Sequence, residues 1–310
     1  MQLWSTNSLG GYMWSPNLSR KLRTALQPMV RFRQFCDAKE AFGVGVGEYF
    51  NWNVYSDVQT QGRALSETEQ MPETNFTITQ AQLTITEYGN SVPFSKKLDD
   101  LSEHPITEVI NKVLKNDARK ALDAAAHAQF AATPLKATAS SATAFDLNTA
   151  SNPGTAHSHE FANEATLNHA KVMSDTLVER DIPTFDGVNY IGISRPSNLR
   201  YLKNYLEGIH KYTSEGWHVM MNGEKGRYEG IRYVEQTGIA ATGSVNSDDI
   251  FFFGADTVVE AFAIPEEIRG KIPTDFGRSR GIAWYAELGY GIAHTQAAQA
   301  RIIHWTDDAA

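Results

Sequence analysis

The sequence predicts a mixed α+β fold, and three observations carry that reading. An extended stretch of period two precedes residue 87, a single long amphipathic helix follows from about residue 105, and strands then alternate with helices through the remaining chain. The handover between the first two reads EYGNSVPFSKKLDDLSEHP, and the helix reads ITEVINKVLKNDARKALDAAAHAQF. A long hairpin followed by one long helix leaves apolar surface that a lone subunit has little means to cover. Other copies of the same chain are the expected cover.

At 310 residues, 42% hydrophobic and 21% charged, the chain can build a sizeable core in one large domain or two average ones. A formal net charge of −8 argues against a sequence-reading DNA-binding protein, whose footprint would be basic. The charge is unevenly spread. Residues 1–39 hold six Lys/Arg and one Asp, a net of +5, whereas residues 40–103 hold three basic and ten acidic side chains, a net of −7. Such polarity is either a property of solvated surface or a means for the arm of one copy to lie on the acidic hairpin of another. Cys36 is the one cysteine, so no intrachain disulfide forms, which suits a reducing compartment. No apolar run reaches the roughly 18 residues of a membrane span. The N-terminus lacks a basic segment followed by an apolar one, so neither a signal peptide nor export is expected.

Residues 1–42 read as irregular to weakly helical. Asn17-Leu18-Ser19 can cap a short helix through Leu22 and Leu26 that Pro28 stops, and Trp4, Tyr12, Met13 and Trp14 show no period and are expected to dock on something else. From Val46, Phe50, Trp52 and Val54 alternate with Tyr49, Asn51, Asn53 and Tyr55, predicting a strand with both faces occupied, and Phe50 and Trp52 are expected to lie under a neighbouring subunit. Residues 56–74 read as a polar tip. In FTITQAQLTITEY, Phe76 and Ile78 share one phase and Ala81, Leu83 and Ile85 the other, which predicts a bulge or strong twist near Gln80. A two-stranded hairpin alone is marginal in water, so it needs an outside partner.

Pro105 suits a helix's first turn, and Ile106, Val109, Ile110, Val113, Leu114, Ala118, Ala121, Leu122 and Ala125 form one apolar stripe. A helix running to Ala131 would be about 40 Å long. Residues 133–160 read as a surface loop or loosely held strand. Helix is expected over 162–179, a strand in VNYIGIS, and an amphipathic helix with Leu199, Leu202, Tyr205 and Leu206. A turn and strand follow in NGEKGRYEGIRYVEQTG, then a buried strand from Ile250 to Phe253 with a short helix after Gly254. In IAWYAELGYGIAH one face is bulky, and the other offers Ala283, Gly289, Gly291 and Ala293, a surface suited to close packing of a helix, with the Ala300–Trp305 segment as the neighbouring strand.

No motif carries chemistry. Gly43, Gly45 and Gly47 have the wrong spacing for a dinucleotide loop and read as a hinge into the hairpin. His157, His159, Glu160 and His169 include an H-x-H pair, yet no second ligand cluster completes a metal site. Ser194 follows Gly192, but Arg195-Pro196 stands where a nucleophile elbow needs glycine. His104 reads as a helix-start residue. Arg227 and Arg232, with Glu224, Glu229 and Glu235, read as an alternating-charge surface. No residue is assigned as catalytic, cofactor-binding or metal-ligating, and no enzyme activity is expected.

Several segments in fixed order resemble the major capsid protein of tailed bacteriophages, with the Hong Kong 97-type fold. They are Glu87-Tyr88-Gly89-Asn90 with Val92-Pro93-Phe94-Ser95, and the spine-like helix from Pro105 to about Ala131. Asn222-Gly223-Glu224-Lys225-Gly226 with Tyr228-Glu229-Gly230-Ile231-Arg232 follows, then Phe253-Gly254-Ala255-Asp256. The resemblance implies an N-terminal arm (1–45), an extended β-hairpin loop (46–95), a peripheral domain with the spine helix (96–159), an axial domain (160–262) and C-terminal strands of the peripheral domain (263–310). It implies pentamers and hexamers closing into an icosahedral head around double-stranded DNA, assembled in the host cytoplasm. Scaffolding, portal and possible decoration proteins would be its partners, with non-specific DNA contact and no membrane. Some relatives weld subunits through a lysine of the extended loop and an asparagine elsewhere. Residues 46–95 hold no lysine, only Arg63, so a shell without that crosslink is expected, and any scaffold is expected to be separately encoded. The alternatives are a cellular nanocompartment shell of the same fold and an α/β enzyme centred on 160–262 that would depend on His169 or Ser194.

Overall fold

A 26-residue helix, Ile106–Ala131 (α2), runs through the middle of the subunit, about 39 Å long. The structure is a computed structural model that describes residues 30–36, 38–41, 45, 47–58, 62–139, 145–148, 167–200, 202, 227–239 and 249–306. Pro105 precedes the helix in extended conformation and Glu108 sits in its first turn, where a carboxylate complements the dipole. Ile106, Ile110, Leu114, Ala118, Leu122, Ala126 and Phe130 are buried in an unbroken four-residue row. Such a row advances about 40° per step, so the buried line winds obliquely round the helix. Val113, expected in the stripe, falls beside that line and is 53% exposed. A short helix, Lys96–Leu101 (α1), that the sequence reading did not anticipate precedes it, capped by the Ser95 hydroxyl accepting from Leu98 N–H.

One side of α2 meets a four-stranded sheet and another meets a seven-stranded one. The first has the order β1 (Ala38–Ala41), β11 (Val258–Gly270), β12 (Ser279–Ile292), β4 (Thr86–Ser95). The second has the order β6 (Phe145–Asn148), β5 (Leu135–Ala139), β13 (Ile302–Thr306), β10 (Ile250–Phe253), β7 (Tyr190–Ser194), β9 (Ile231–Glu235), β8 (Arg227–Tyr228). Alternate residues of the larger sheet feed two cores. Ile191, Ile193, Phe251, Phe253 and Ile302 join α2, while Tyr190, Ile250, Phe252, Ile303 and Trp305 face Met173 and Leu177 of the helix Leu167–Glu179 (α3). A sheet covered on both faces needs apolar residues at every position, which is why IFFF and YIGIS lack polar alternation.

Several sequence expectations are corrected here. Gly254 leads through a bend at Ala255-Asp256 into the long strand β11, with no helix between. The 302–306 segment pairs with β10 and β5, so the neighbours of β12 are β11 and β4 instead. The start of the 133–160 region is a buried strand, with Leu135 and Ala137 fully buried in the seven-stranded sheet. Strands β5, β6 and β13 thus hydrogen-bond into the sheet of residues 190–253, although their sequence positions lie outside it. Among the amphipathic-helix residues, Leu199 and Leu202 are buried, and Tyr205 and Leu206 lie outside the described residues.

The remaining two strands form the hairpin, β2 (Tyr49–Tyr55) and β3 (Ile78–Thr84). Their register runs unbroken from Tyr49↔Thr84 to Tyr55↔Ile78, so the bulge expected near Gln80 is absent. The phase change that suggested it arises because Phe76 and Ile78 lie on the outward face with Gln80 and Gln82, while Ala81 and Leu83 are buried on the inward one.

Candidate assembly interface

Among the described residues, the hairpin meets the body on β12. There β3 crosses β12 at Gly289 and Gly291, which stand two residues apart on one face. A Cβ on Gly289 would lie 2.4 Å from the Thr84 carbonyl oxygen, and one on Gly291 would lie 2.9 Å from both the Leu83 Cβ and the Trp52 ring. Glycine is therefore required by close approach, not by backbone angle. The Trp52 indole N–H donates to the Ala293 carbonyl at 2.9 Å, and Leu83, Val259, Ala261 and Ala293 form a small core flanked by Phe50, Trp52 and Ile85. The small side of β12 thus receives the hairpin, and α2 packs on its bulky side against Trp284, Ala286, Leu288 and Tyr290. This corrects the expectation of a helix on the small side. It also corrects the expectation that Phe50 and Trp52 await a neighbour, because their face is turned to the subunit's own body.

The outward face is what stays uncovered. Tyr49, Tyr55, Phe76 and Ile78 are all more than half exposed. A second uncovered group sits at the far end of the four-stranded sheet, where β11 turns into β12. Ile272 and Phe276 project from that turn, Phe276 wholly into solvent, and Ile268 near the end of β11 is also mostly exposed. Asp275, Phe276 and Gly277 are consecutive residues of positive φ, which fixes the turn's shape at a conformational cost to the two non-glycine residues. The sequence reading passed over this tip, although Pro273 and Asp275-Phe276-Gly277 between two strands are the turn signal that marks it.

Polar groups lock residues 31–33 to the body. Phe32 is fully buried, 4.7 Å from the His127 ring and 5.2 Å from that of Phe130. Asp123, a buried carboxylate beside the apolar row of α2, accepts from the Arg33 backbone N–H at 3.1 Å and from the Gln236 amide at 2.6 Å. Gln236 in turn accepts from the Arg31 N–H at 2.9 Å. Burial pushes the Asp123 carboxyl up from its ordinary range, against the pull of these donors. The Arg33 guanidinium bonds Glu260, which is buried on β11, at 2.7 Å, and also Glu266. A single Asp on an apolar helix face was the available signal for this clamp.

The residues weighed for chemistry have structural roles. Ser194 is buried, donates to the Asp249 carbonyl at 2.6 Å and accepts from the Asn198 amide. His169 is buried on α3 with its ring 5.7 Å from that of Trp305. His157, His159, Glu160 and Glu224 lie outside the described residues, as does Gly43, whereas Gly45 and Gly47 both have positive φ. The His104 N–H and carbonyl are engaged by the Ser102 hydroxyl just before α2. Arg227 and Arg232 stand directly opposite each other on β8 and β9. Among the described residues there is no group of three or more His, Cys, Asp or Glu able to hold a metal ion, and no helix is long and apolar enough to cross a membrane.

A family model described as phage capsid protein matches residues 79–301, and a second, the phage capsid family, matches residues 10–128. The chain belongs to the phage capsid protein family. The fold agrees along nearly the whole length. The capsid of the Cyanophage P-SCSP1u is 14% identical, with 96% of this chain and 94% of that one covered at a TM-score of 0.68. The capsid of Cyanophage Pam1 is 12% identical, with 98% and 99% covered at 0.68. The capsid of a native GTA particle is 16% identical, with 99% and 100% covered at 0.64. A search of curated proteins returned no match. The capsid subunit has the Hong Kong 97-type fold that its sequence resembles, and it is a shell-forming major capsid protein.

Proposed function

We propose that this subunit assembles as pentamers and hexamers into the icosahedral head that encloses double-stranded DNA, and that it does so without enzymatic activity of its own. The observation that carries the reading is the hairpin. It is a two-stranded sheet seated on glycines at one end, with Tyr49, Tyr55, Phe76 and Ile78 facing outward. Two strands alone are marginal in water, and the exposed apolar cluster of Tyr55, Ile78 and Phe76 at one end of this otherwise polar face is the kind of surface that marks a protein contact. Residues 1–45 act as an arm, and the extended loop of 46–95 reaches over a neighbour through β2 and β3, its last strand β4 returning into the four-stranded sheet. The four-stranded sheet with α2 is the peripheral domain. The seven-stranded sheet is the axial domain, which takes in β5, β6 and β13 beside residues 160–262. Assembly in the host cytoplasm, with scaffolding and portal proteins as partners and a decoration protein as an optional one, completes the reading.

Electron microscopy of the purified chain over a range of concentrations tests this. Closed shells or capsomer-sized rings are expected. A monodisperse monomer at every concentration would overturn the reading.

A further inference from the structure

Helix α2 carries its charges in a sorted way. Lys112, Lys115, Arg119 and Lys120 are exposed, and among the described residues no carboxylate pairs with any of them. Its acids are turned elsewhere. Asp117 accepts from the Trp284 indole at 2.9 Å and the Asn90 amide at 2.8 Å, and Asp123 holds the arm. Only Glu108, one turn before Lys112, remains exposed on that flank. Lys112, Lys115 and Arg119 fall within about 60° of one another around the helix. They border a groove of about 590 Å³ backed by Leu114, Ala118 and Trp284. Glu266 stands across the groove and is engaged by Arg33.

The other side of the same layer is acidic. Trp284, Ala286 and Leu288 of β12 face α2, so the alternate residues Tyr285 and Glu287 face away from it. Glu87 on β4 stands directly opposite Glu287, and Glu267 opposite Tyr285. Like charges facing each other across a strand pair are unfavourable unless solvent screens them. The layer is therefore cationic on its helix side and anionic on its sheet side, in a chain of net charge −8.

Resting on the genome-enclosing reading above, we infer that the α2 side of this layer is the inner surface of the shell. There Lys112, Lys115 and Arg119 contact phosphates of the enclosed duplex without reading its sequence. Charge complementarity is the argument. A wall that presents cations to a polyanion releases counterions and gains salt-dependent attraction, and one that presents Glu87 and Glu287 would repel it. Three contacts per subunit, in place of a broad basic patch, hold the duplex weakly and leave it free to slide.

The test measures binding of the purified chain to a 30-base-pair duplex across a salt series. Substitution by Gln keeps the helix propensity of these exposed positions. With Lys112→Gln, Lys115→Gln and Arg119→Gln combined, the slope of log affinity against log salt should become shallower by about 2–3, at ~0.9 per lost phosphate. The single variant Lys115→Gln should lose about 0.9. A control with Lys97→Gln, Lys271→Gln and Arg278→Gln removes as many exposed cations and should keep the wild-type slope. Equal slopes in the wild-type and helix variants, an equal loss in the control, or no duplex binding by the wild-type chain would each overturn the inference. Wild-type chain that binds the duplex through α2 yet never forms shells would instead overturn the reading on which it rests.

Discussion

The Trp52 ring stands 2.9 Å from where a Cβ would sit on Gly291, so the hairpin occupies the volume that any side chain on β12 would take. The same indole donates to the Ala293 carbonyl two residues along the strand. Packing and a hydrogen bond therefore fix the hairpin's direction where it meets β12.

Gly289→Ala should unseat the hairpin. The added methyl meets the Thr84 carbonyl, a backbone group that cannot rotate away. Overpacking of this kind costs about 1–3 kcal/mol, and here relief requires the hairpin base to lift. The expected outcome is a subunit that still melts cooperatively, at a lower midpoint, and no longer forms regular shells under the electron microscope. Normal shells from this variant would show that the glycine seat does not direct the loop.

Phe76→Ser combined with Ile78→Ser should separate folding from assembly. Both side chains are mostly exposed, at 63% and 57%, so removing them changes subunit stability by only about 0.5 kcal/mol. If a neighbour buries them, burial of two large apolar groups is lost, about 1.5–3 kcal/mol for each. Sedimentation velocity should show the variant arrested as small species at concentrations where the wild type assembles. By contrast, Trp52→Ala should lower the subunit's own melting temperature, because Trp52 packs on its own body.

Acid should loosen the joint between arm and helix through His127. Burial lowers its pKa from 6.5 to about 4, and the ring lies 4.7 Å from Phe32 and 5.2 Å from Phe251. The folded state favours the neutral ring. Its stabilisation is present above pH 6.5 and is lost as pH falls through about 4, a swing on the order of 1–3 kcal/mol. Asp123 works in the opposite sense, since its raised pKa favours folding as pH falls. His127→Phe should therefore flatten the loss of urea stability between pH 6.5 and 4. An unchanged acid limb would place the sensitivity elsewhere.

Mature particles boiled in denaturant should run as single chains on a gel. Residues 46–95 contain no lysine, so the loop has no amine with which to form an isopeptide bond. A ladder of covalent oligomers would contradict this.

Periodicity and local chemistry were enough to place the long helix from Pro105 to Ala131, the strands around Phe50, Ile191 and Phe252, and the α+β class. Each of these depends on contacts within a few residues, where apolar spacing of two or four leaves little choice. The order of the segments also allowed the capsid resemblance to be drawn. Which strand neighbours which was decided by tertiary structure alone. The 302–306 segment follows β12 in sequence, yet it inserts between β10 and β5, because Ile302, Ile303 and Trp305 can be buried on both faces only there. The small face of β12 was legible as a docking surface, but what docks on it was not. A glycine in a strand announces close approach, and its partner, Thr84, lies about two hundred residues away, beyond the reach of any local pattern.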